Sequence, residues 1–173
     1  MKFTEFNFHE NLLEAIAASG YEDATPVQEQ VMPLILQGKD IIASAQTGTG
    51  KTAAFLLPLL QKLITEPSAD HHINVLIIVP TRELAVQISG QLDGLTYLTT
   101  ISSIAVYGGG DGNSFVQEKQ ALSKGADIVV STPGKLIAHI NMGYVKLKEL
   151  QYMVLDEADR MLDMGFHDDI MRI

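Results

Sequence analysis

The 173-residue sequence has no cysteine, which excludes disulfides, thiolate metal sites and cysteine nucleophiles and permits a reducing compartment, the cytoplasm by default. Basic residues are scarce as well, with 12 Lys and Arg against 21 Asp and Glu, a formal net charge of −9. That balance argues against a broad basic face for polyanions, so any nucleic-acid contact has to be local or made by backbone N–H groups. No apolar run approaches the length of a membrane span, and Met1-Lys2-Phe3-Thr4-Glu5 is too polar an opening for a secretory signal. A soluble protein with no membrane contact is expected.

What is present describes an ordinary globular α/β chain, 46% hydrophobic and 19% charged, with the length of one domain. Helical spacing at Leu12, Leu13, Ile16 and Ala17 predicts a first helix closed by Ser19-Gly20. Thr25-Pro26 opens a second, which continues through Val31 and Ile35 until Gly38 stops it. From there short apolar runs at Ile41–Ala43, Val75–Val79, Ile104–Val106, Ile128–Val130 and Met153–Leu155 alternate with helix-length amphipathic segments, the pattern of βαβ units around a parallel sheet. Such sheets carry ligands at the carboxyl ends of their strands. Glu66–His72 reads as a surface loop, His71-His72 as its solvated part rather than a metal site, and Gly108–Gly112 mostly as a turn. Met161 and Met164, at helical spacing, read as packing residues.

Two segments carry chemistry. Ile41-Ile42-Ala43 runs into Ala45-Gln46-Thr47-Gly48-Thr49-Gly50-Lys51-Thr52, with the apolar Ala53–Leu63 segment following as a helix. In such a loop the glycines turn N–H groups onto a phosphate, the helix N-terminus adds its dipole, Lys51 supplies a point charge and the Thr52 hydroxyl can hold Mg²⁺. Met153-Val154-Leu155-Asp156-Glu157 is an apolar strand ending in two carboxylates. Asp156 suits Mg²⁺, and Glu157 suits the positioning and deprotonation of an attacking water. The competing reading of the carboxylates is electrostatic support for the Arg160–Met164 helix.

Asp156-Glu157-Ala158-Asp159 spells the motif that names the DEAD-box RNA helicases, and Arg160–Phe166 continues it as in that family. Gly20–Gln28 resembles the Q motif, with Phe3 in the place of its upstream aromatic. Ala45–Thr52 matches the family's P-loop, which often begins with alanine. Pro80-Thr81-Arg82-Glu83-Leu84-Ala85, Gly108-Gly109 and Thr132-Pro133-Gly134-Lys135 match further blocks in order. The chain therefore resembles an N-terminal RecA-like P-loop NTPase domain, a parallel sheet flanked by helices, over residues 1–173.

The resemblance implies ATP and Mg²⁺ as cofactors. Phe3, Tyr21 and Gln28 would hold the adenine, with Phe3 stacking on its ring; Ala45, Gln46, Thr47, Gly48, Thr49, Gly50, Lys51 and Thr52 the phosphates; Thr52 and Asp156 the metal. Lys51 and Glu157 would be catalytic. Pro80, Thr81, Arg82, Gly108, Gly109, Thr132, Pro133, Gly134 and Lys135 would line a track for the RNA backbone, which carries no sequence information. Local alternatives stand beside these: Thr25 and Gln28 also form a capping box, and Thr81 and Thr132 also suit helix N-caps, with Pro133 at N1. Ala24 stands where the family usually has proline, and Lys135 where it usually has arginine, replacing a bidentate grip by a point charge.

The implied function is the first half of an ATP-dependent RNA helicase, whose second RecA-like domain would be its partner. The alternative is a non-enzymatic nucleotide- or RNA-binding module. A domain incomplete at its C-terminal end is expected, with the Ile41–Ala43 and Met153–Leu155 strands separated by the slot of a strand that belongs between them, and with negligible hydrolysis by these residues alone.

Overall fold

A computed structural model describes residues 1–67, 72–109 and 112–173, apart from the side chain of Asn113. His71, Gly110 and Asp111 thus lie outside the described residues. The chain divides into two compact units, Met1–Pro67 with Leu92–Ile101, and Ser68–Gln91 with Ser102–Ile173.

The first unit is helical. A 3-10 turn at Phe3–Phe6 precedes α1 (Glu10–Ala18), α2 (Pro26–Leu36) and α3 (Lys51–Thr65). The stops fall at the expected glycines: Gly20 and Gly38 take φ of 78° and 76°, the left-handed conformation that releases a chain from a helix. Thr25 is the N-cap of α2 and Pro26 its first residue. Leu56, Leu57, Leu59 and Leu60 of α3 are all buried, the wide apolar face of an amphipathic helix whose Gln61 and Lys62 stay partly exposed. The N-terminus is fastened by an antiparallel bridge between Lys2 and Asp23.

One expected strand does not form. Ile41–Ala43 lies outside any strand, and Ile42 is fully exposed. A strand exists only through hydrogen bonds to a neighbour, and three apolar residues cannot supply that neighbour themselves.

The second unit holds the sheet: β1 (Val75–Ile78), β2 (Ser103–Val106), β3 (Ile128–Ser131) and β4 (Tyr152–Leu155), in the order β2-β3-β1-β4 and all parallel. The helices are α4 (Arg82–Thr96, whose last turn belongs to the first unit), α5 (Gly112–Lys124), α6 (Pro133–Asn141), α7 (Ala158–Asp163) and α8 (His167–Arg172). Val-Leu-Ile-Ile in β1 and Ile-Val-Val-Ser in β3 are buried at every position, which is why they read as unbroken apolar runs rather than alternations. Leu76, Ile78, Val106, Leu122, Val129, Leu136 and Met161 form the core. Met161 packs as expected, whereas Met164 is half exposed. β4 is different. It is hydrogen-bonded on one side, to β1, no described strand lies beyond it, and Met153 and Leu155 are exposed. Among the described residues no helix is long and apolar enough to cross a membrane.

Candidate nucleotide and RNA-backbone sites

In the first unit the glycine-rich loop is held from the side by α2. Gly48 and Gly50 adopt φ of 83° and 86°, and Gly50 is the N-cap of α3. The Thr25 N–H donates to Gln28 Oε1 at 2.9 Å, the returning half of the capping box. Gln28 Nε2 donates to the Gly50 carbonyl at 3.1 Å, and Thr25 Oγ1 donates to the Thr49 carbonyl at 2.8 Å. Gln28 is 1% exposed, so one buried amide serves both a helix cap and the loop. The approach is close enough to demand glycine, since a Cβ on Gly50 would stand 2.5 Å from Gln28 Nε2. Thr49 Oγ1 donates back to the Gln46 carbonyl, and Lys51 Nζ donates across the loop to the Ala45 carbonyl.

Phe3 is 3% exposed and meets Tyr21 edge-on at 5.9 Å between ring centroids. Together with Leu13 and Ile16 the two rings line a cavity of about 120 Å³. The expected stacking of adenine on Phe3 does not suit this burial: Phe3 is a wall behind the half-exposed Tyr21, because the 3-10 turn folds it inward onto Phe6 and α1.

In the second unit the candidates collect at the carboxyl ends of the strands. Asp156 extends the β4 ladder, its N–H donating to the Ile78 carbonyl at 3.0 Å, and its Oδ1 accepts from the Glu157 N–H at 3.0 Å. Glu157 has φ 54° and ψ 45° as N-cap of α7. A left-handed non-glycine residue carries strain of about 1–3 kcal/mol and is typical of functional positions. Its carboxylate accepts from Arg160 Nη1 at 3.1 Å.

Three adjacent strand ends bring the RNA-track candidates side by side. Val79 N–H bonds to the Ser131 carbonyl and Thr132 N–H to the Val106 carbonyl, which sets Pro80-Thr81, Gly108-Gly109 and Thr132–Gly134 in one row. The Arg82 guanidinium lies 5.1 Å from the Tyr107 ring centroid. A Cβ on Gly109, whose φ is 92°, would meet Arg82 Nη1 at 2.6 Å. Thr81 Oγ1 accepts from the Leu84 N–H at 3.3 Å, so its capping role is real. Thr132 caps α6 by backbone conformation only, with Pro133 at the first helical position.

Lys135 is not free. Its Nζ pairs with Glu118 Oε2 at 3.1 Å and sits 5.2 Å from the Phe115 ring centroid. Glu118 also accepts from His139 Nε2. The sequence reading missed this cluster, for which the available signal was weak: polar residues at (i, i+4) on α6 facing a Phe–Glu pair on α5.

A parallel sheet flanked by helices, with a glycine-rich loop entering a helix and paired carboxylates closing a strand, defines a RecA-like P-loop domain. The sequence matches the DEAD/DEAH box helicase family over residues 25–173, and the chain belongs to that family. It is 47% identical over 172 residues to the ATP-dependent RNA helicase CshA of Listeria monocytogenes, covering 99% of this chain and 32% of that protein. To the protein of the same name in Limosilactobacillus reuteri it is 48% identical, covering 100% and 34%. The DEAD-box ATP-dependent RNA helicase CshA of Bacillus subtilis is 44% identical, at 99% and 33%. The chain thus spans about a third of the length of these curated relatives.

Proposed function

We propose that this chain is the N-terminal RecA-like domain of a longer ATP-dependent RNA helicase, binding ATP with Mg²⁺ and the RNA sugar-phosphate backbone, and working with a second RecA-like domain to couple ATP turnover to local duplex unwinding. The observation that carries it is the Gln28 amide. It has two donor hydrogens and two acceptor positions. Thr25 N–H and the Gly50 carbonyl use one of each, leaving one donor and one acceptor, the pair an adenine edge requires once the base displaces what covers this 1%-exposed side chain. Because the same amide holds Gly50, adenine recognition and the conformation of the phosphate loop are mechanically joined.

The loop suits an anion: two left-handed glycines before a helix start curve the backbone into an N–H nest, and Lys51 needs only to exchange the Ala45 carbonyl for a phosphate oxygen. Thr52 and Asp156 would hold Mg²⁺, which when bound supplies neutralisation of phosphate charge. Glu157 positions and deprotonates water, and exchanges Arg160 for that role. Tyr21, backed by Phe3, flanks the base. Arg82, Gly108, Gly109, Thr132, Gly134 and Lys135 meet RNA phosphate and ribose, in keeping with a chain of net charge −9 whose basic contacts are confined to one row.

Titration of Gln28→Ala with labelled ATP and GTP tests the reading. ATP affinity is expected to fall by the equivalent of about 1–3 kcal/mol, the worth of a bidentate base contact, while weak GTP binding hardly changes. Equal weakening of both nucleotides would reduce Gln28 to a cap and loop brace.

A further inference from the structure

Lys135 belongs to a buried polar chain between α5 and α6. Glu118 Oε2 takes both Lys135 Nζ at 3.1 Å and His139 Nε2 at 2.9 Å. His139 is 0% exposed, stacks on Phe115 with centroids 4.9 Å apart, and bonds through Nδ1 to the Tyr144 hydroxyl. His139 Nε2 and Nδ1 thus bridge Glu118 to Tyr144, whose hydroxyl also donates to Met142 Sδ at 3.7 Å. Glu118 and Lys135 form the carboxylate–ammonium pair of the cluster. Their solvent access differs, at 8% for the Glu118 side chain and 21% for Lys135. Burial, and after it the negative charge of Glu118, pushes the Tyr144 hydroxyl above its ordinary pKa, so the Glu118 charge is felt through the cluster.

We propose that Glu118 is a positioning residue that competes with RNA phosphate for Lys135 and so limits the charge this lysine lends to the RNA backbone. The proposal rests on the reading of Lys135 as a phosphate contact. An anion fixed behind a cation at the end of a nucleic-acid track does two things. It orients the ammonium on the Phe115 face, and it withholds part of its charge, because a phosphate must draw Lys135 away from a partner that cannot follow. Glu118 cannot follow because His139 anchors the same oxygen and the surroundings exclude water. Lys135 is the exchangeable member of the chain, being its most accessible charge.

The experiment measures binding of the full-length protein to fluorescein-labelled oligouridylate over a range of salt concentrations. Glu118→Gln preserves shape and the acceptor for His139 but removes the competing charge. It is expected to tighten binding roughly two- to five-fold, the scale of a partly exposed ion pair, and to steepen the slope of log affinity against log salt by up to about 0.7, one single-strand phosphate contact. Glu118→Asp retains the charge on a shorter arm and is expected to fall between Glu118→Gln and the parent, which guards against a fold defect in either variant. Lys135→Ala is expected to weaken binding and flatten the slope, and Glu118→Gln in its background to add nothing. If Lys135→Ala lowers affinity but Glu118→Gln and Glu118→Asp leave both affinity and slope at parental values, the competition is refuted while the phosphate contact stands. If Lys135→Ala changes neither, the phosphate contact itself is wrong and the proposal falls with it.

Discussion

Replacing Gly50 by alanine puts a methyl group where the structure has no room for one. The new Cβ would stand 2.5 Å from Gln28 Nε2 on a residue with φ 86°. A left-handed L-residue costs roughly 1–2 kcal/mol. Displacing the Gln28 amide breaks its bond to the Gly50 carbonyl, worth about 0.5–1.5 kcal/mol net. The single substitution is therefore expected to cost roughly 2–3 kcal/mol and, for a chain of this size, to lower the melting temperature by about 4–12 °C. The sharper test is the double-mutant cycle with Gln28→Ala. That change alone loses the same hydrogen bond together with half of the Thr25 cap. In the double variant the clash has vanished and the shared bond is counted once, so the combined loss should fall short of the sum by roughly 1 kcal/mol, beyond the 0.3–0.5 within which independent sites add. Thermal unfolding followed by circular dichroism, on the parent, both single variants and the double, gives all four corners. Strict additivity would show that Gln28 and Gly50 do not touch, and the mechanical joining of base and phosphate recognition would go with it.

Glu157→Gln should abolish ATP hydrolysis by the full-length protein while leaving ATP and RNA binding in place; turnover near the parental rate would remove Glu157 from the chemistry. At the same position glycine should be more stable than alanine by about 1 kcal/mol, the reverse of the usual order, because φ is 54°, and equal denaturation midpoints would mean that the left-handed conformation is not held. Tyr144, whose ionisation is pushed up by burial and by Glu118, contributes stability that is complete below the unfolded-state pKa of about 10 and declines as pH rises through its folded value. Tyr144→Phe should remove that part of the alkaline decline, and parallel curves for the two proteins would contradict it. The free side of β4 presents the N–H and C=O groups of Met153 and Leu155 beside exposed apolar side chains, the setting for edge-to-edge association. A polypeptide of residues 1–173 should self-associate in sedimentation velocity, and Met153→Lys should suppress it; a monodisperse monomer at high concentration would show that the edge is harmless.

Sequence alone determined the features whose information is local. Helix ends at Ser19-Gly20, Thr25-Pro26 and Gly38 follow from capping chemistry within a few residues. Four of the five expected strands follow from short apolar runs set between turn signals, and two of them, β1 and β3, run unbroken because both their faces are buried. The order and spacing of the chemical blocks, from Gln28 through Lys51 to Asp156-Glu157, were legible because each block's chemistry lies in consecutive residues. Tertiary structure decided what depends on a distant partner. Ile41–Ala43 has the composition of a strand yet is none, since pairing is a property of two segments and not of one. Phe3 looks like an isolated aromatic but is folded inward onto Phe6 and Tyr21. Gln28 has two partners, and only the second, 22 residues away at Gly50, makes it a brace for the phosphate loop. Lys135 has the sequence context of a free phosphate contact, whereas the packing of α5 on α6 gives it Glu118. A side chain's type and its neighbours in the chain set what it can bond to, but which of those bonds is already taken is settled by the residues that packing brings within hydrogen-bonding reach of it.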